Sequence, residues 1–305
     1  MLNRHLNAQG EWRDGGSTRA RITPVLGGNA VLEEWSGAMQ PGQRMSGFSL
    51  RAFDPGADQW VILLNWSANG GSSFGRMRGG FRHGRGEFQN KWTEAGGGTV
   101  MERYTFSDAL PTTVRWDQAR SRDGGVTWRT DWIMEFSRTG AAAAQNFDRV
   151  MAEPWQRGDA SPHAQARWLD FAVGRWAAGD APGGAHRLRA TFLGERRLIA
   201  WAVDRRAGDR WEPREFWVAS YLPAAQAWEA WTLHAAERRF TRWAGQRLDS
   251  GALRFKPASA DHARRVIIGP GPGGEDSLQW TEQQEPGEPG AGLGLGLTLQ
   301  YTRTP

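Results

Sequence analysis

The sequence predicts an all-β protein made of two tandem antiparallel up-and-down β-barrels, each of about nine to ten strands. Three observations carry this. Apolar residues alternate with a period of two along most of the chain, turn residues interrupt that alternation every 8–12 positions, and the whole pattern is written twice within 305 residues. Alternation of this kind marks half-buried antiparallel strands. Short strands at regular spacing indicate a sandwich or a barrel, and uninterrupted hairpin order favours closure, which removes exposed edges.

The repetition is clearest at residues 48–60, F-S-L-R-A-F-D-P-G-A-D-Q-W, which return 168 positions later at residues 216–228 as F-W-V-A-S-Y-L-P-A-A-Q-A-W. The match runs the whole length. Gly10-Glu-Trp12 corresponds to Gly174-Arg-Trp176, V-L-E-E-W ending at Trp35 to L-I-A-W ending at Trp201, Phe74 to Phe240, Phe88 to Phe255, Trp116 to Trp280, and M-E-F-S-R-T at 134–139 to L-Q-Y-T-R-T at 299–304. Offsets stay between 164 and 168, as tandem duplication with small insertions would leave them. Two copies of this length are domains rather than solenoid repeats. The expected layout is a first β-barrel over 1–139, a helix-containing linker over 140–168, and a second, more divergent β-barrel over 169–305.

Within each copy the strands can be phased. In G-L-G-L-G-L-T-L-Q-Y, Leu293, Leu295, Leu297, Leu299 and Tyr301 share a face. The matching strand of the first copy places Trp128, Thr130, Trp132, Met134 and Phe136 inward, with Arg129, Asp131 and Glu135 outward. Trp60 to Trp66 is apolar on both faces, as a central or doubly covered strand would be. Turns are expected at D-P-G-A-D (54–58), N-G-G (69–71), H-G-R-G (83–86), G-G-G (96–98) and R-D-G-G (122–125). Only the linker reads as helical, a short helix followed by a Pro-containing stretch.

Composition narrows the function classes. Cysteine is absent, which excludes disulfides, thiolate nucleophiles and Cys-ligated metal sites. Of 38 basic residues only Lys91 and Lys256 are lysines. Residues 1–139 carry 17 basic and 14 acidic residues, 140–168 carry 3 and 3, and 169–305 carry 18 and 16, so the net of +5 is spread evenly. A nucleic-acid footprint would be a basic stripe or tail, so no nucleic-acid partner is expected despite the pI near 10.3. The longest plainly apolar run, 60–64, is far short of the ~20 residues a membrane helix needs, and the N-terminus has no secretory apolar core. A soluble, cytoplasmic, bacterial protein with no membrane partner is expected, its oligomeric state left open. The 18 tryptophans are the compositional anomaly. They fit a Trp-rich core or aromatic-lined cavities.

Together, the G-x-W opening strand, the L-G-G hairpin closing on tryptophan, the F-x-x-x-x-F/Y-x-P…W unit and the D-G-G-x-T-W hairpin resemble a bacterial lipocalin-like barrel family known only as a domain of unknown function. They are also distantly similar to nitrobindin-type ten-stranded barrels. The resemblance covers the first copy almost entirely and the second more weakly, since D-G-G-x-T-W is replaced there by E-P-G-E-P-G-A-G-L. It implies a barrel with an internal cavity and no particular reaction. Nitrobindin-like barrels hold haem through a late histidine, but 113–138 and 278–304 contain none, and neither His234 nor His262 falls on that motif. Haem is therefore not carried over, and no cofactor is expected.

Four local features bear on chemistry. Ser121-Arg-Asp123-Gly-Gly125-Val-Thr127-Trp128 matches the Asp box of sialidase-type propellers, a turn device in which a short carboxylate bonds loop N–H groups; occurring once, it is read as structural. The six histidines lack any metal-ligand spacing. Glu33 and Glu34 are adjacent on a strand and face opposite ways, so they do not form an acid–base pair. Finally, Glu102, Tyr104, Trp116, Gln118 and Arg120 are inward by alternation. If Phe106 pairs with Val114, Tyr104 faces Trp116 and Glu102 faces Gln118, while the second copy has Val266, Glu282 and Gln284 in place of Glu102, Gln118 and Arg120. Buried polar groups are either paired or ligand anchors.

These readings point to a non-enzymatic barrel binding a small hydrophobic or aromatic ligand. Trp35, Trp66, Tyr104, Trp116 and Trp132 would line the first cavity, with Glu102, Gln118 and Arg120 as polar anchors; no catalytic or metal residue is assigned. Two alternatives stand beside it: a small-molecule enzyme using Glu102 as acid or base in the same cavity, and a scaffold whose second barrel has lost its cavity.

Overall fold

The structure, a computed structural model, describes residues 2–16, 18–40, 43–67, 74–94, 96–139, 147–152, 163–179, 184–259, 264–284 and 297–305. Almost everything regular is strand. The chain forms two compact units, the first taking in Met1–Ile22, Val31–Gly70 and Phe74–Ala144, the second chiefly Gln145–Pro305 with Thr23–Ala30.

The first sheet contains β1 (Leu2–Leu6), β2 (Trp12–Asp14), β3 (Thr18–Val25), β4 (Ala30–Gln40), β5 (Gln43–Asp54), β6 (Gln59–Trp66), β7 (Gly75–Arg82), β8 (Arg85–Thr93), β9 (Thr99–Ser107), β10 (Thr113–Ser121) and β11 (Arg129–Ser137). Its order, β2-β1-β11-β10-β9-β8-β7-β6-β5-β4-β3, is that of a curled hairpin sheet with ends at β2 and β3. The second unit holds β12 (Gly174–Ala178), β13 (His186–Leu193), β14 (Leu198–Ala207), β15 (Arg210–Leu222), β16 (Ala227–His234), β17 (Phe240–Arg247), β18 (Leu253–Pro257), β19 (Arg264–Gly271), β20 (Gly274–Gln284) and β21 (Leu297–Thr304). Here β12 pairs with both β13 and β21, and the ten strands close into a barrel.

The two sheets differ at the seam for a local reason. In the barrel the Gly174-Arg-Trp176 strand lies directly against the last strand. In the first sheet β1 occupies that edge of β11, through Asn3↔Met134 and His5↔Trp132, and the Gly10-Glu-Trp12 segment is displaced onto the far side of β1. This extra strand, formed by Leu2–Leu6, is not part of the expected repeat. Asn3 is 1 % exposed and spans the region: its Nδ2 donates to Ala38 O on β4 at 3.1 Å, and its Oδ1 accepts from Trp132 Nε1 on β11 at 2.7 Å. The edge left outside, β2, is three exposed residues long, short enough to be a poor template for further pairing.

Most local expectations hold. Asp54 Oδ1 accepts from the N–H groups of Gly56 and Ala57 at 3.0 and 3.2 Å, closing the D-P-G-A-D turn. His83 and Gly84 take φ of 51° and 74° between β7 and β8, the paired left-handed conformation of a tight hairpin. Val61 to Leu64 are all buried, so β6 does cover both faces. On β21, Leu299 and Tyr301 are buried while Thr298, Gln300 and Thr302 are exposed; Leu293 and Leu295 lie outside the described residues, as does the turn at 69–71. A short helix α1 (Phe147–Ala152) falls in the expected linker, packing Phe147 on Phe216 with ring centroids 5.1 Å apart; the Pro-containing stretch that follows lies outside the described residues. No helix among them is long and apolar enough to cross a membrane.

One phase is corrected. A bulge between Gln118 and Ala119 opposes Gln118 to Trp132 and Ala119 to Thr130, leaving Asp131 as the extra residue. An inserted residue reverses the facing of everything beyond it. Trp132, Met134 and Phe136 therefore stay inward. Thr130 instead shares the outer face with Ala119, and Trp128 lies under the Arg103 guanidinium at 4.3 Å. Asp131, expected outward, turns its carboxylate toward the inner face.

Candidate functional site

The interior of the first sheet has three layers along its axis. The middle layer is aromatic. Trp132 meets Trp66, Trp116 and Trp35 at centroid distances of 5.2, 5.1 and 5.6 Å, and Tyr104 meets Trp116 at 4.8 Å. Trp66 Nε1 donates to Tyr104 Oη at 3.4 Å. Burial, with the charge of Glu102, pushes the Tyr104 phenol far above its ordinary value. Gly47 makes room for Trp66, since a Cβ there would fall 2.1 Å from the indole ring.

On one side of this layer a cavity opens. Trp35, Trp66, Tyr104, Trp116, Ile62, Leu64 and Met134 form its apolar wall, Phe106 and Phe136 stand at its partly exposed rim, and Glu33, Ser49 and Arg51 supply its polar end. The cavity volume open to water centres is about 30 Å³, and all empty space, with the open mouth, comes to about 440 Å³. The polar end is joined by hydrogen bonds. Arg51 Nη2 pairs with Glu33 Oε2, Ser49 Oγ donates to the same oxygen at 3.0 Å, and Arg51 Nε donates to Ser49 Oγ at 3.1 Å. Arg51 also lies 5.2 Å from the Phe106 ring centroid. Burial lowers the guanidinium to about 10, which leaves it charged at neutral pH.

Beyond the aromatic layer, at the opposite end, lie Glu102, Gln118 and Arg120. Their register differs from expectation by two residues: Phe106 pairs with Trp116, Tyr104 with Gln118, and Glu102 with Arg120. Arg120 approaches Glu102 at 3.5 Å and Asp131 at 2.9 Å, while Gln118 donates to Asp131 at 2.8 Å. Glu102 is raised to about 7, chiefly by burial, with Arg120 opposing and Asp131 adding to the effect. His5 packs tilted against Trp132 with ring centroids 4.8 Å apart and is pushed down to about 4 by burial.

The eight expected site residues thus divide. Trp35, Trp66, Tyr104 and Trp116 line the cavity; Trp132 stands in the aromatic layer without lining it; Glu102, Gln118 and Arg120 form a self-satisfied polar cluster away from it. The polar residues that do line the cavity are Glu33, Ser49 and Arg51, which alternation along the β4 and β5 strands places inward. Glu34 faces the other way and pairs with Arg21. A signal for these anchors exists in the repeat: where this copy has Glu33, Ser49 and Arg51, the other has Ile199, Trp217 and Ala219.

The consequence is visible in the closed barrel. Trp217 stacks on Trp201 at 5.3 Å and meets Trp243 and Trp280 at 5.0 and 5.5 Å, all four buried on the barrel axis. Its polar layer is Glu215–Arg264–Glu282, with contacts of 2.5 and 2.7 Å, and Trp217 and Trp280 Nε1 donate to the two carboxylates at 2.8 and 3.0 Å. Burial would raise Glu215, but the Arg264 charge and these hydrogen bonds hold it below its ordinary value. Trp280 pairs with Ile268 as Trp116 pairs with Phe106, so the strand position of Glu102 belongs to Arg264, not Val266.

The Asp box is a tied hairpin. Asp123 accepts from the N–H groups of Val126 and Thr127 at 3.1 and 2.9 Å and from Thr127 Oγ1, Ser121 Oγ accepts from Gly125 N at 2.8 Å, and Trp128 Nε1 donates to Gly125 O at 2.9 Å. These bonds, Thr127 foremost, hold the Asp123 carboxyl far below its ordinary range. Among the described residues no group of three or more His, Asp or Glu side chains is placed to hold a metal ion. No protein-family model and no curated protein matches the chain.

Proposed function

We propose that this protein is a non-enzymatic binding protein, built as two duplicated lipocalin-like barrels, whose first barrel takes a small, largely apolar or aromatic ligand. The cavity carries this reading: an aromatic wall ending in one compact polar group is the usual make-up of a small-molecule site. The closed part, about 30 Å³, has room for only a few waters, so a ring must seat in the open mouth beside Phe106 and Phe136, with its polar end toward Glu33, Ser49 and Arg51. The second barrel, with tryptophans along its axis, serves as a partner or scaffold.

Catalysis by Glu102 finds less support, because its carboxylate meets Arg120 and lies across the aromatic layer from the cavity. Native mass spectrometry of protein purified from its own host, with tryptophan-quenching titrations against a library of small aromatic compounds, tests the binding reading. Quenching is expected from Trp35, Trp66 and Trp116 and should disappear in the cavity-filling variant Ser49→Trp, which copies the second barrel. Consistently empty protein with no quenching by any compound would sink the proposal.

A further inference from the structure

The polar end of the cavity is only half used by its own residues. All three bonds within it converge on two atoms, Glu33 Oε2 and Ser49 Oγ. Among the described residues, Arg51 Nη1 and Glu33 Oε1 have no protein partner, although both side chains line the cavity. A guanidinium carries five N–H donors and a carboxylate two acceptor oxygens, so the site still offers a donor and an acceptor. It offers them with the charges cancelled, one cation against one anion.

We infer that the cavity selects a neutral ring compound bearing both a hydrogen-bond acceptor and a donor at one end, of the primary carboxamide or lactam kind, over a carboxylate or a plain hydrocarbon of the same size. This rests on the binding reading above. The ligand carbonyl accepts from Arg51 Nη1, its N–H donates to Glu33 Oε1, and its ring lies against Trp35, Trp66 and Trp116. A carboxylate satisfies Arg51 but brings its charge against Glu33. An ammonium does the reverse against Arg51. A hydrocarbon leaves both groups unpaired as it displaces water from them, and sites built to bond a polar group reject analogues lacking it. The Arg51 side chain is 22 % exposed, so the discrimination is moderated by solvent, and about tenfold is expected, well short of a fully buried site.

The test uses the full chain and three probes of similar size, benzamide, benzoate and toluene, titrated at pH 7 by calorimetry and tryptophan fluorescence. Benzamide should bind about tenfold more tightly than either of the others. Arg51→Met should shrink the preference over toluene and widen that over benzoate, which loses its cation and keeps the repulsion, whereas Glu33→Gln should raise benzoate affinity toward that of benzamide by removing the repulsion. Benzoate or toluene binding as tightly as benzamide overturns the inference while leaving the cavity reading intact; no binding of any probe removes both. The wild-type series alone decides the matter if a variant does not fold.

Discussion

Glu102→Gln tests whether burial dominates the energetics of the polar cluster. Glu102 is raised from its ordinary 4.5 to about 7, mainly because burial penalises the ionised form. That displacement corresponds to about 3 kcal/mol at ~1.4 kcal/mol per pH unit. Between pH 4.5 and 7 the folded chain holds a proton that the unfolded chain releases, so the native state binds more protons and stability falls as pH rises through this window. The penalty is absent below the unfolded value and complete above the folded one. Glu102→Gln keeps the shape and removes the titration. The difference in unfolding free energy between variant and wild type should therefore shift by about 2–3 kcal/mol in favour of the variant between pH 5 and pH 8. Urea titrations followed by tryptophan fluorescence measure the difference, and carbon-13 NMR of the glutamate carboxyls reads the titration itself. A difference flat to within about 0.5 kcal/mol, or a Glu102 carboxyl titrating near 4.5, would refute the assignment of burial as the dominant effect and favour the Arg120 pair instead.

Two further outcomes follow from the same reasoning. In the closed barrel, Arg264→Met leaves Glu215 buried without its counter-charge and should cost about 3–5 kcal/mol, whereas adding Glu215→Gln to it should restore much of the loss; a single variant as stable as wild type in thermal melts would show the Glu215–Arg264 pair to be dispensable. Asn3→Ala strands Trp132 Nε1 and Ala38 O at the seam and should cost about 2–3 kcal/mol, with hydrogen exchange rising first in β1 and β11; unchanged protection there would mean that β1 is held by its ladder alone.

How far the sequence could be read depends on whether each feature is local. Alternation, turn chemistry and repetition are local, so the all-β class and the hairpins at 54–58, 83–86 and 122–125 are legible residue by residue. So is the inward set on β9 and β10, because a slip of two residues preserves the face of every side chain. The partner of each residue is not local. The loop after Ser107 sets Phe106 against Trp116 rather than Val114, which moved Arg120 opposite Glu102. The bulge at Gln118 then brought Asp131 inward to complete the cluster.

The sequence by itself determined that aromatic strands recur and that the two copies differ within them, Arg51 against Ala219 among the differences, without placing Arg51 inward. Only the tertiary structure decided what that divergence does. Strands β4 and β5 bring Glu33, Ser49 and Arg51 together because side chains two apart on a strand share a face and adjacent strands lie ~5 Å apart. The same positions filled with Ile199, Trp217 and Ala219 become a tryptophan-packed axis. Whether a sheet closes is likewise a matter of its edges: ten strands meet in the second unit, while in the first the strand Leu2–Leu6 takes the edge of β11 and the Asn3 side chain reaches across to β4.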